Sequence, residues 1–499
     1  MAQEGSSLRL EKWLQAVGFA GGNPFATCEA DRESSVLPEF FVDTGYYDLI
    51  WGDPEKPQPA LVFAPRGGGK TAYRVMVERR SRPATSNSPV LSISYTSFEQ
   101  GSTAHVRAIL GQGVQAFLDA LCRDDAMASR FPVLQRSRLS WFCDQFAPET
   151  LTPFAVADRI HSLDDRFYLP WEMFQQSVRA ARLREALSHS GLLQNPAIAL
   201  LADLVDGVRE PLPGSYSSAQ VFAGFVRMVQ SCGLCAVYVL IDRLDEMVET
   251  AADPPAIVSI LEPLLADLHL METPGVAFRL FLPDSTLELM RGCPAIRFDR
   301  LKVYEIEWRE DLLGEMLCKR LLAYSDGRIR SLAQVCSAPL SETIDREIVQ
   351  WADRSPRRLV RLGELLFRAH VEQGGSESSM LTLRDWEWAR KVFSREHRRL
   401  LRIEPSSEQV FVGQSRVALA PLEYRFLLAL YLARGWCEKE RLIAQVWEAE
   451  EGVTDQAVSR LVRRIREKIE PDPGDPIYLI TEHSRGFRLM NVEWPQETG

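Results

Sequence analysis

Five short apolar runs punctuate the first three hundred or so positions. Ala60–Ala64 (ALVFA), Pro89–Thr96 (PVLSISYT), Ala236–Ile241 (AVYVLI), Val276–Leu282 (VAFRLFL) and Val303–Trp308 (VYEIEW) are rich in β-branched and aromatic residues. Runs of that length and make-up predict buried strands. Stretches of helical periodicity separate them, so the expected fold is α/β, with a mostly parallel sheet covered by helices on both faces. A short amphipathic helix is expected over Leu8–Val17 and another helix over Pro254–Leu270. The longest helical interval, about 103–230, includes Val106–Leu121 and Glu172–Leu187 and reads as an insertion in the sheet domain. Residues 309–372 are helical in pattern again. Gly374 and Gly375 then open a flexible break before a charged helix over Leu383–Phe393. Beyond 399 the rhythm changes to short strands (LRIE, QVFVG, RVAL), three helices and a final hairpin over Ile477–Leu489. The division that follows is an N-terminal segment (1–58), a core (59–308) carrying the insertion (103–230), a helical lid (309–372), a linker with a connecting helix (373–398) and a C-terminal module (399–492).

Candidate chemistry sits at the strand ends. Ala60–Ala64 runs into Pro65, Arg66, Gly67, Gly68, Gly69, Lys70 and Thr71, followed by the helical pattern AYRVMVERR. Glycines let a backbone curl with its N–H groups turned inward, which makes a concave anion site. The helix start adds partial positive charge. A bare glycine-rich surface turn would lack both the strand before and the helix after. This stretch resembles the Walker A motif of P-loop NTPases, with Ala64 standing where the motif has its first glycine. The resemblance implies ATP and Mg²⁺ as cofactors. Arg66, Gly67, Gly68, Gly69, Lys70, Thr71 and Ala72 would hold the phosphates, Lys70 would act in catalysis, and the Thr71 hydroxyl would ligate the metal.

The run Ala236–Ile241 ends at Asp242, and the acids Asp245 and Glu246 follow. A carboxylate at that strand tip suits a Mg²⁺ ion. The arrangement resembles the Walker B segment of STAND-class ATPases, including the NACHT group, although Arg243 stands where many AAA+ proteins have a glutamate. By that resemblance Asp242 binds Mg²⁺, and Asp245 or Glu246 orients the attacking water. Asp284 and Ser285, after the fourth run, are candidates for a γ-phosphate sensor or else caps of the next helix. Ser355 and Pro356 read as N-cap and first residue of a helix carrying Arg357 and Arg358 at its start. This resembles the sensor-2 element of AAA+ and STAND lids, which implies an arginine reaching the nucleotide. Arg297 and Arg300 are candidates for an arginine finger between protomers.

The C-terminal module closely resembles the OmpR/PhoB-type winged-helix DNA-binding domain. The stretches that carry the likeness are ALAPLEYRFLLAL, LIAQVW, VSRLVRRIREKIEP and ITEHSRGFRLM. The resemblance implies double-stranded DNA as partner, with the third helix in the major groove and the wing beside it. Candidate DNA-binding residues are Ser459, Arg460, Arg463, Arg464 and Arg466 on the helix, and Arg485 and Arg488 in the wing, which also holds His483. At 3.6 residues per turn, Arg460, Arg463 and Arg464 share one face, while Leu461, Ile465 and Ile469 turn inward.

Composition narrows the picture only slightly. The formal net charge of −10 over 499 residues shows no global basic excess, so any nucleic-acid surface has to be local. Nine scattered cysteines indicate reduced thiols and a cytoplasmic protein. Cys232 and Cys235 read as small residues leading into a strand. No signal peptide or membrane span is expected. Arg179, Arg182 and Arg184 fall within one predicted helix of the insertion, where a solvated face or a protein partner is the alternative. Phe40, Phe41, Tyr46, Tyr47 and Trp51 are expected beside the nucleotide site, as packing or as a base platform. The functional expectation is an ATP-dependent switch, a homo-oligomer with DNA binding as output, most readily a transcriptional regulator. A STAND-type antiviral sensor and an initiator or loader ATPase are the alternatives.

Overall fold

The five apolar runs pair as one parallel sheet: β1 (Ala60–Ala64), β2 (Val90–Tyr95), β3 (Ala236–Ile241), β4 (Val276–Pro283) and β5 (Lys302–Glu305). The computed structural model describes residues 2–494 apart from 83–87, 97, 99–100, 166, 211–216, 248–249, 251–252, 376–378, 397–399, 414, 448–454, 471–472, 474–475 and 483–485. Strand order is β2-β3-β4-β1-β5, and every neighbouring pair is parallel. β1, β3 and β4 are buried from end to end. Two covered faces explain why these strands read as unbroken apolar runs rather than as alternation.

β4 inserts between β1 and β3, so the glycine loop after Ala64 and the carboxylate at Asp242 emerge from the same end of the sheet with one strand between them. At about 4.8 Å per strand the two lie roughly 10 Å apart. The crevice beyond the carboxyl ends of parallel strands is the usual ligand position in open α/β sheets.

One face, through Ile93, Val239 and Phe278, joins a core shared with the insertion helices. The other face is closed by the N-terminal segment together with the helix Lys70–Arg80. The Tyr238 ring lies 5.1 Å from Trp51, and the guanidinium of buried Arg279 lies 4.7 Å over Tyr238. Arg279 donates to the carbonyls of Ile50, Gln58 and Trp51. Those bonds explain how an arginine is accommodated in a buried strand.

Three expectations need correction. Glu172–Leu187 is two helices, Trp171–Arg179 and Leu183–Leu187. Ala181 takes a left-handed φ of 51° between them, and the Asp206 carboxylate accepts the amides of Leu183 and Arg184, starting the second helix. Arg179, Arg182 and Arg184 therefore do not share a helix, and Arg184 is paired with Asp203. Pro254–Leu270 stops at Leu265, and a short turn, Leu268–Met271, is capped by Asp267. β5 ends at Glu305, which frees Trp308 for another role.

The lid contains the helices Glu310–Tyr324, Ile344–Ala352 and Pro356–Glu372. The N-terminal helix Ala2–Val17 packs on the last of these through Trp13 and Phe367, with ring centroids 5.0 Å apart. The chain divides into two compact units, Met1–Leu383 and Arg384–Gly499, and the division falls inside the segment read as a linker.

The second unit has its own apolar core. β6 (Leu401–Glu404), β7 (Gln409–Val412) and β8 (Ser415–Val417) form an antiparallel sheet. Helices Pro421–Ala433, Lys439–Val446 and Asp455–Ile469 follow, then the antiparallel pair β9 (Leu479–Glu482) and β10 (Gly486–Leu489). This is a winged helix.

Candidate nucleotide cleft and nucleic-acid interface

A cleft of about 370 Å³ opens at the carboxyl end of the sheet. Arg66, Gly67, Gly69, Lys70, Thr71 and Ala72 line it from the glycine loop. Gly67 and Gly69 take φ values of 80° and 90°, which side chains rarely adopt. Gly67 also meets the lid: a Cβ there would sit 2.7 Å from Cβ of Arg357. Gly69 is the N-cap of the helix Lys70–Arg80, so the loop delivers its backbone to a helix start. Gly68 is not among the lining residues. Its carbonyl instead accepts a 2.9 Å bond from the buried indole N–H of Trp308. Lys70 is 6% exposed. Its Nζ lies 3.4 Å from the Ala64 carbonyl and 3.3 Å from the Asp245 carboxylate.

The acidic side is built by the end of β3. Asp242 is 1% exposed, and its Oδ2 accepts a 3.1 Å bond from Nε of Arg74. Arg74 lies one helical turn beyond Lys70. It also donates to Glu78 at 2.9 Å and to Asp31 from the N-terminal segment. Burial works to lower the Arg74 pKa, but the surrounding charges of Asp242, Asp31 and Glu78 outweigh it and raise it. Asp31 bridges to Arg243 as well, and Arg243 holds a left-handed φ of 68°. Asp245 is 14% exposed and close to Lys70, whereas Glu246 is 50% exposed. Thr71 and Asp242 offer a hydroxyl and a carboxylate to the same cleft. Two hard oxygen ligands suit a Mg²⁺ ion that keeps phosphate oxygens and waters as its remaining partners.

On the lid, the Ser355 hydroxyl accepts from the Arg358 amide, capping the helix Pro356–Glu372. Arg357 lines the cleft; Arg358 turns away, 2.9 Å from Asp353, and is not among the lining residues. Asp284 and Ser285 are exposed and outside the cleft lining, and the Asp284 carboxylate accepts the Ser285 amide. Arg297 and Arg300 are exposed and face Asp299 and Glu272. Phe40 and Phe41 line the cleft; Tyr46, Tyr47 and Trp51 do not, and Arg80 covers the rings of Tyr47 and Trp51.

Sequence reasoning passed over Trp308, Arg74, Asp31 and the lid residue Arg320. Arg320 is buried between Glu33 and the Phe40 ring. Their signals are weak: an aromatic just past a strand, a cation in an apolar helix face, and an acid in an irregular segment.

In the winged helix, Val458, Leu461, Ile465 and Ile469 of the third helix are buried. Ser459, Arg460, Arg463 and Arg464 are exposed, with Arg463 2.9 Å from Glu467. Arg464 and Lys468 approach Glu423 at 4.0 and 2.7 Å. Arg466 is placed differently from its neighbours: it donates to the Leu479 carbonyl and the Thr481 hydroxyl of β9, tying helix to hairpin. Burial lowers its pKa. Arg488 stacks on Trp436, 4.5 Å from its ring centroid. Arg485 and His483 lie outside the described residues.

Residues 413–489 match the family described as transcriptional regulatory protein, C terminal. A probable transcriptional regulatory protein of Picosynechococcus is 40% identical over 88 residues, 17% of this chain and 34% of that protein. The alkaline phosphatase synthesis transcriptional regulatory protein SphR of Synechococcus elongatus is 30% identical over 92 residues, 18% of this chain and 35% of that protein. The chain thus spans about a third of the length of these curated relatives. Among solved structures, the Aeropyrum pernix ORC2 protein, described as ADPNP–ADP complexes, is 11% identical with a TM-score of 0.28, covering 87% of this chain and 84% of that one. A likeness that slight adds nothing to the geometry above.

Proposed function

We propose that the chain is an ATP-dependent switch whose output is binding of double-stranded DNA, and that it works as a transcriptional regulator. The observation that carries the reading is one cleft lined by Lys70, Thr71, Asp242, Asp245 and the lid residue Arg357. Backbone amides of the glycine loop and the Lys70 ammonium bind the phosphates. Asp245, held beside Lys70, is better placed than the more exposed Glu246 to orient an attacking water. Arg357 reaches the nucleotide from the lid, so lid position depends on whether a phosphate is there to meet it. Bound Mg²⁺ supplies charge neutralisation at the phosphates. The exposed face of Ser459, Arg460, Arg463 and Arg464 enters the major groove, where arginine reads guanine edges or clamps phosphates. No helix among the described residues is long and apolar enough to cross a membrane.

The test is DNA affinity of the full chain with ATP, with ADP and without nucleotide, beside Lys70→Ala and Asp242→Ala. The expected result is nucleotide-dependent affinity in the wild type that both substitutions abolish. Equal affinity in every nucleotide state removes the coupling.

A further inference from the structure

Behind the cleft lining, bonded to Asp242, lies an arginine that the nucleotide reading does not use. Arg74 is 4% exposed, on the helix that follows the glycine loop. Its three guanidinium nitrogens go to three different carboxylates: Nε to Asp242, Nη1 to Glu78 and Nη2 to Asp31. One cation therefore faces three anions, with Arg243 shared only by Asp31. Asp242 is the most deeply buried of the three acids. A buried carboxylate needs a cation beside it, because an unpaired buried charge is costly. Arg74 supplies that cation when no metal does.

Resting on the nucleotide reading of this cleft, we propose that Arg74 is the built-in counter-ion of Asp242. A divalent cation then gains that carboxylate by exchange, as Arg74 gives it up and keeps Glu78 and Asp31. The exchange suits the charges. Arg74 still faces two carboxylates after it, so it is never left unpaired. Asp242 trades a single charge for a double one. Asp31 belongs to the N-terminal segment that also contributes Glu33 to Arg320 on the lid, so the acid that receives Arg74 sits on a strap joining core to lid. Arg74 is a positioning residue: it acts on the metal ligand and not on the substrate. Arg279, the buried arginine of β4, is bonded to backbone carbonyls instead and has no such exchange open to it.

The test is Mn²⁺ binding to the nucleotide-free full chain, read from the electron paramagnetic resonance signal of the free ion. Arg74→Met is expected to bind Mn²⁺ at least tenfold more tightly than wild type, and Arg74→Lys to fall between them. Lysine keeps the charge but cannot bond three carboxylates at once. Asp31→Asn is expected to weaken Mn²⁺ binding, because Arg74 then has one fewer alternative and stays on Asp242. Adding Asp242→Asn to Arg74→Met should erase the gain. A purely structural Arg74 predicts no tighter metal binding in any variant, and that result overturns the proposal. Arg74→Lys equal to wild type overturns it too, since only distant charge is then at work. If Arg74→Met does not fold, Arg74→Lys and Asp31→Asn still decide the matter by moving in opposite directions or not. Binding of ATP to the wild type, with Mg²⁺ and with EDTA, is measured alongside. Its absence in both sinks the nucleotide reading, while the Mn²⁺ order still judges Arg74.

Discussion

Single residues divide by how far their partners lie along the chain. That Lys70, Thr71 and Asp242 come to line one cleft is legible in the sequence, because a loop, its helix start and a strand tip are local patterns. The role of Trp308 is not: the carbonyl it bonds belongs to Gly68, 240 positions earlier. Nor is the Arg74–Asp242 bond, which spans 168 positions. No period or spacing in a sequence encodes such a meeting; packing of the sheet does. The Trp308 bond fixes the backbone of a loop whose glycines lack side chains to fix it. Trp308→Phe keeps most of the apolar bulk and leaves the Gly68 carbonyl without its donor. That change should lower stability by about 1–3 kcal/mol. It should also weaken ATP binding more than an equal loss of stability elsewhere, because the loop is no longer held in its curled form. Chemical denaturation and ATP titration of the same variant check both parts. Unchanged ATP affinity would show that the loop holds its form unaided.

At the scale of elements, the apolar runs locate the five sheet strands to within a few residues, most sharply the central β1, β3 and β4, which are buried from end to end. Helix boundaries are less legible where a side chain from elsewhere sets them. Asp206 starts the helix Leu183–Leu187 from a different helix, and no periodicity in 172–187 announces it. The third helix of the winged module shows the same limit. Five cations lie on it in sequence, but the structure gives them different work. Arg463 is 81% exposed, while Arg466 is bonded to β9. Arg460→Ala and Arg463→Ala should therefore weaken DNA binding, and each lost phosphate contact should reduce the salt slope of the binding constant by about 0.9. Arg466→Ala should instead lower the melting temperature of the module, leaving a buried carbonyl unpaired, with the salt slope little changed. Calorimetry beside DNA titrations at several salt concentrations separates the two outcomes. A reduced slope for Arg466→Ala would place that guanidinium on the DNA after all.

Charge at the scale of the whole molecule is uneven. Residues 384–499 contain 19 Lys and Arg against 19 Asp and Glu, so the entire formal charge of −10 falls on residues 1–383. On the proposed function, a module attached to so acidic a unit approaches the DNA phosphates against a repulsive field. The module has its own core, running from Leu401 to Val492, so it should fold when separated. Residues 384–499 alone should then bind DNA more tightly than the nucleotide-free full chain at low salt. The difference should shrink as salt rises, because the Debye length falls from about 30 Å at 0.01 M to about 10 Å at 0.1 M and long-range repulsion is screened. Contact masking behaves differently. If the first unit covers the reading helix sterically, the difference persists at high salt and responds to nucleotide. Titrations of both proteins from low to high salt, with and without ATP, distinguish repulsion from masking. A full chain that binds as tightly as the module in every condition would leave the acidic unit no part in controlling DNA binding.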